Sequence, residues 1–366
     1  MPLPPDSDTP ADDPGPPPDT ATAARLDPAA LDIESRPATV EELLQRLRDG
    51  ELALGTARPP WRQANKSRLI ESLLVRIPLP SLYIDAVDQT HWVVIDGTRR
   101  LTALQGFAVD RDFALSGLDY LPELEGTGFD DLPRALKRRL METALAVELV
   151  KPGAPQAVRA NLYRRLNTVG GPMPEQEIRD RLYRNAAGFL TGLTGTESWR
   201  GAVGDGIDGG GPDDREAALR FLALFPLAHP PPIEGDLDTV LDQAAAALDA
   251  GGLEAMIRRD LLARRLTAAL ETAAGLFGDG AFGRGGSEAA APGIALIDCW
   301  SVPLARLDAT EAGRLLAKRE EVIKAFTELL QDQDFAASVG AGEKDPAAIL
   351  RRFTEIHDLV GKFASA

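Results

Sequence analysis

The chain has 366 residues, with 40 Lys and Arg against 56 Asp and Glu and a formal net charge of −16. That balance argues against a free-standing duplex-DNA binder, because nonspecific DNA affinity comes from phosphates neutralised by Lys and Arg. Cys299 is the one cysteine, which excludes a disulfide framework and a cysteine-based zinc site. No apolar run is long enough to span a bilayer, and the start carries Pro and Asp rather than a basic leader. A cytoplasmic protein with no membrane partner is expected.

Residues 1–38 alternate Pro, Asp and Ala with few large apolar side chains, so this stretch reads as a disordered tail. Thr39 is placed to cap a helix over Val40 to Leu47, with Glu41 and Glu42 in its first turn. Leu69, Ile70, Leu73 and Leu74 form one helical stripe that Pro78 and Pro80 terminate. Leu82, Tyr83 and Ile84 then begin a strand, Asp88-Gln89-Thr90 turns it, and His91 to Ile95 returns beside it. Ala144 to Leu149 is a further candidate strand. Beyond Gly153 the pattern is helical, with helices over 155–166, 174–193, 214–224, 237–249, 252–276, 295–305, 310–331 and 345–362. The class expected is α+β, an α/β domain over 39–152 followed by a mainly α-helical domain over 153–366.

The most chemical segment is Trp92-Val93-Val94-Ile95-Asp96-Gly97-Thr98-Arg99-Arg100-Leu101. A β-branched strand ends there in a glycine turn and feeds a helix whose first turn carries two arginines. Backbone N–H groups and the positive helix end favour an anion, and guanidinium forks add bidentate phosphate contacts. Asp96 could hold Mg²⁺ or orient a water beside that phosphate. A surface strand-turn-helix with solvated arginines fits the local pattern equally well. Arg58, Arg62, Lys66, Arg68, Arg76, Arg99 and Arg100 cluster in sequence around this box, with Lys137, Arg138 and Arg139 farther on. They read either as a phosphate-lined cleft or as a solvated face.

Other features carry less. Two G-x-G-x-x-G matches, 204–209 and 278–283, lack the preceding strand that gives that motif its mechanism. His91, His229 and His357 are scattered and fit no nuclease or metalloprotease pattern. His91 reads as a half-buried strand residue, and Cys299 as an inert core thiol.

The block from Ser67 to Ile84, followed by Trp92 to Leu104, resembles the N-terminal domain family of GmrSD-type restriction endonucleases, a branch of the ParB/sulfiredoxin-like superfamily. The similarity continues through Arg165-Leu166-Asn167-Thr168-Val169-Gly170-Gly171-Pro172 to Glu177-Ile178-Arg179. It extends more weakly through Leu219 to Leu224 and Ala295 to Asp298. The family writes its box Asp-Gly-Gln-Gln-Arg, whereas Thr98 and Arg99 fill the two middle places here and Arg100 keeps the last. An aromatic-Gln-Arg element that the family carries before a tryptophan is reduced here to Arg58 and Trp61.

This resemblance implies a ParB-like fold that binds a nucleoside triphosphate with Mg²⁺, and a role in restriction of foreign DNA. DNA would be reached through a complex, with a partner subunit supplying the nuclease. Carried onto this chain, the nucleotide contacts are Gly97, Thr98, Arg99, Arg100, Arg58, Arg68, Ser72 and Asn167, and the catalytic set is Asp96, Arg100 and Glu71, with Asp96 on the metal. Glu71 has the alternative of a solvated helix residue, and Asn167 that of an Asx turn. Three classes remain open. They are an NTP-hydrolysing or nuclease-like enzyme, which is the leading expectation, a nucleotide-gated binding module, and a scaffold in a multiprotein defence complex.

Overall fold

The computed structural model describes residues 32–54, 60–166, 173–204, 207, 209–227, 231, 233, 235–278, 282, 293–340 and 344–365. The chain is α+β. A five-stranded mixed sheet is built from β1 (Ile33–Thr39), β2 (Leu52–Ala53), β3 (Leu82–Asp85), β4 (Trp92–Asp96) and β5 (Ala144–Val150), in the order β1-β5-β3-β4-β2. β3 runs antiparallel to its hairpin partner β4 and parallel to β5. The hairpin turns at Asp88, whose Oδ1 accepts from Thr90 N, Thr90 Oγ1 and His91 N.

Helices cover the sheet on both faces, and the strand alternation says which side chains go where. Leu82 and Ile84, Val94, and Leu145, Val147 and Leu149 point to one face. They meet α1 (Val40–Arg48), α2 (Gln63–Leu74), α3 (Thr98–Gln105) and α4 (Arg134–Glu142). Ile95 and Val150 point the other way, onto Ala160 and Tyr163 of α5 (Gln156–Leu166) and Ile178 of α6 (Glu175–Leu182).

A third and largest core lies in the helical remainder. It gathers α7 (Arg184–Thr194), α8 (Glu197–Val203), α9 (Pro212–Leu224), α10 (Leu237–Asp249), α11 (Leu253–Phe277), α12 (Ile294–Leu304), α13 (Ala309–Ala317), α14 (Arg319–Leu329), α15 (Gln333–Val339) and α16 (Pro346–Ala364). Leu219 to Leu224 and Ala295 to Asp298 meet at its centre. Arg220 Nη1 lies 3.5 Å from Asp298 Oδ2, and Arg352 of α16 grips the same carboxylate with Nε at 3.1 Å and Nη2 at 2.9 Å. All three side chains are fully buried.

Several expectations change. Residues 33–38 are no tail: they pair residue for residue with β5, from Ile33 opposite Val150 to Thr39 opposite Ala144. The helix expected over 174–193 breaks at Tyr183, because Asp249 Oδ1 accepts Asn185 N and Ala186 N and so starts a new helix. The helix expected over 310–331 breaks at Lys318. His91 is exposed in the turn, with Thr90 Oγ1 2.9 Å from Nδ1. Cys299 is buried as expected, and burial pushes its thiol well above the usual range. Residues 1–31, Arg58, Asn167, His229 and parts of both glycine patterns lie outside the described residues.

Candidate functional site

The β4-to-α3 junction is built as the sequence pattern requires. Gly97 sits at φ +108°, a backbone conformation that L side chains rarely adopt, and a Cβ there would meet Leu82 Cδ2 at 2.2 Å. Glycine is therefore needed twice over, for the turn and for the close approach of β3. As N-cap of α3 it brings no side chain to cover the first turn, which leaves the positive helix end unneutralised by a cap. Thr98 and Arg99 occupy that turn half-buried, and Thr102 Oγ1 donates back to Thr98 O at 2.8 Å.

Arg100 has a different occupation from the one its position suggests. Its Nη2 donates to Asp96 Oδ2 at 2.9 Å and to Ser81 O at 3.1 Å, and its Nη1 donates to Pro80 O. Its side chain is only 12% exposed. Burial lowers its pKa from the usual arginine value, opposed by the Asp96 carboxylate, and the group remains cationic. In this arrangement the guanidinium ties the entry of β3 to the end of β4, and Asp96, 39% exposed, faces that guanidinium from the last position of β4.

Glu71 turns away from the box altogether. Along α2, Gln63, Ser67 and Glu71 recur every four residues on one face, and each holds backbone of the segment 114–121. Gln63 Nε2 donates to Ala114 O, Ser67 Oγ accepts from Ser116 N, and the Glu71 carboxylate accepts from Asp119 N, Tyr120 N and Leu121 N at 2.6–3.1 Å. Burial pushes the Glu71 carboxyl up, but the three backbone donors with Arg68 outweigh it and leave its pKa below the usual value. Both carboxylate oxygens are spent on the loop. Ser72 donates to Arg68 O within its own helix, and Arg68 lies 3.6 Å from Asp119 at the surface.

The other basic residues do not converge on one cleft. Lys66 lies over Phe113, Lys137 donates to Asp130 O, Arg138 pairs with Glu142, and Arg139 donates to Leu74 O. Among the described residues no group of three His, Cys, Asp or Glu side chains could hold a metal ion. Asp96 is paired with Arg100, so by itself it would be one ligand of a Mg²⁺ ion whose other ligands a phosphate would have to bring.

Sequence reasoning missed the link from this junction to the helical part. Arg181, buried at the end of α6, donates Nη1 to Val94 O of β4 at 2.9 Å and Nη2 to Glu177 Oε1 at 2.8 Å. Arg179, the end of the third sequence block, is buried and bridges Asp238 and Asp242, one turn apart on α10. Nothing in the polar run Glu175 to Leu182, where only Ile178 and Leu182 are apolar, signals that Arg179 and Arg181 are buried. No protein-family model matches the chain, and comparison with curated proteins gives no significant match.

Proposed function

We propose that this chain is a nucleotide-gated binding module, which takes the phosphates of a nucleoside triphosphate at the β4-to-α3 turn. The observation that carries the reading is Gly97: a left-handed glycine, wedged against Leu82, opening a helix that it leaves without a side-chain cap. Such a turn presents backbone donors and a positive helix end to phosphate oxygens. Hydrolysis is the weaker reading, because Asp96 is paired with Arg100 and the Glu71 carboxylate is engaged by three N–H groups of the 119–121 backbone. Mg²⁺ would arrive on the nucleotide.

Gating follows from the strand that ends in the turn. β4 carries Gly97 at its end, packs Ile95 against Tyr163 and Ile178, and receives Arg181 on Val94 O. An occupant that shifts β4 would therefore be felt by α5 and α6. The resemblance of three ordered blocks to the GmrSD N-terminal family supports a setting in restriction of foreign DNA, with the nuclease on another subunit. The net charge of −16 agrees with DNA being met through a complex.

Calorimetric titration of the full chain with each nucleoside triphosphate and Mg²⁺, in parent and Thr98→Glu, tests this. A carboxylate in the first turn favours the helix but repels phosphate. Binding at least tenfold weaker in the variant, with an unchanged or raised Tm, is the expected result. No binding by the parent, or equal binding by both, overturns the proposal. Mg²⁺-dependent phosphate release that Asp96→Asn abolishes would restore the enzyme reading.

A further inference from the structure

Exposed apolar side chains are concentrated at the start of one helix. Of the eight large hydrophobic residues that stand exposed among the described residues, Leu253, Met256, Ile257 and Leu261 all lie on α11, at between 49% and 69% exposure. Their spacing of three and four residues puts them on one helical face. The inner side of the same turns is anchored. Arg259 donates to Leu248 O and Ala250 O and lies over the Phe189 ring, and farther along Leu262, Leu266 and Leu270 are buried in the largest core.

The charges bordering this face select its occupant. Arg258 Nη2 and Glu254 Oε1 lie 3.6 Å apart, too far for a hydrogen bond, with side chains 56% and 92% exposed, so both keep capacity for a further ion pair. They stand one turn apart on the same flank of the apolar stripe. Asp260 and Arg264 close on each other at 2.6 Å and end the patch. Two carboxylates thus meet two guanidiniums around it, a balance unlike the basic face by which a helix adheres to an anionic membrane.

We propose that this face joins two copies of the chain, α11 against α11, antiparallel about a two-fold axis beside Ile257. A closed dimer of this symmetry uses the same patch on both subunits, so the patch must be complementary to itself. In this register Ile257 meets Ile257 of the second copy, and Leu253 meets its Leu261 in both directions. An antiparallel two-fold brings like flanks together, so Glu254 reaches Arg258 of the second copy and Arg258 reaches its Glu254. Sliding the copies by one turn sets Leu253 against Arg265, or Leu261 beyond the start of the helix. The register is therefore fixed by both the apolar and the charged residues.

Sedimentation velocity of the full chain across the micromolar range tests this, with Ile257→Asp, Glu254→Arg and the double variant Glu254→Arg/Arg258→Glu beside the parent. The parent should dimerise, and Ile257→Asp should weaken dimerisation at least tenfold while its Tm stays close to that of the parent, because the side chain is exposed in the single chain. Glu254→Arg should weaken it as well, and the double variant should restore it. Under oxidation Ile257→Cys should give a covalent dimer and Ala268→Cys, exposed farther along the same helix, should not; Cys299 is buried and adds no background. A parent that stays monomeric overturns the proposal and leaves the face to another protein. Dimers that Ile257→Asp leaves intact overturn it too, and place the interface elsewhere.

Discussion

At the residue scale, two side chains expected to do chemistry are structural fasteners, and both make measurable claims. Arg100→Ala removes the donor to Pro80 O, Ser81 O and Asp96 at one stroke. Hydrogen bonds from a charged group are worth roughly 1.5–3 kcal/mol, so urea denaturation should show a loss of that order, with or without nucleotide. A variant as stable as the parent would free Arg100 for ligand. Glu71→Gln should cost about 1–3 kcal/mol at neutral pH, because an amide cannot accept from three N–H groups as a carboxylate does. The pH dependence has a definite sign. With its folded pKa below the unfolded value, Glu71 contributes stability that is fully present above the unfolded pKa of about 4.3 and is lost as pH falls through the depressed value. The gap between parent and Glu71→Gln should therefore narrow below pH 4, and a gap that widens there would contradict this role.

At the element scale, the strands and helices of the sheet region were readable where local chemistry decides. Thr39 capping Glu42 N, the Asp88 turn and the proline stop after α2 each act within a few residues. β1 was not readable, because Ile33 to Thr39 has a single β-branched apolar residue and becomes a strand only by pairing with β5, over a hundred residues away. The same reason hid the break at Tyr183, whose cause is Asp249 on another helix. Of the site, Gly97 and the turn were legible from spacing; the partners of Arg100 and Glu71 were not, since Pro80 O and the 119–121 backbone carry no side-chain signature. Removal of β1 gives a test at this scale. A chain beginning at Val40 should be less stable than one beginning at Asp32 and more prone to associate, because it exposes the β5 edge and loses the Thr39 cap. Equal stability and solubility of the two would show that β1 is dispensable.

At the scale of the whole molecule, the sheet region and the helical remainder are joined by arginines as well as by the small apolar core of Ile95, Val150, Ala160, Tyr163 and Ile178. Arg159, Arg179 and Arg181 each tie α5 or α6 to a neighbouring element, and the Arg220–Asp298–Arg352 triad locks α9, α12 and α16. Asp298→Asn leaves two fully buried guanidiniums without their shared carboxylate and should cost roughly 3–5 kcal/mol in thermal or urea unfolding. A loss under 1 kcal/mol would mean that Glu216 and the Ser338 carbonyl suffice to hold them.

The nucleotide claim is tested most directly by hydrogen–deuterium exchange of the full chain with Mg²⁺ and each of ATP, GTP, CTP and UTP. At least one nucleotide should slow exchange in the segment 97–101, with a smaller effect in 175–182 through β4. Exchange unchanged at 97–101 with all four, or protection confined to 85–93 and 181–186, would contradict a triphosphate at the Gly97 turn.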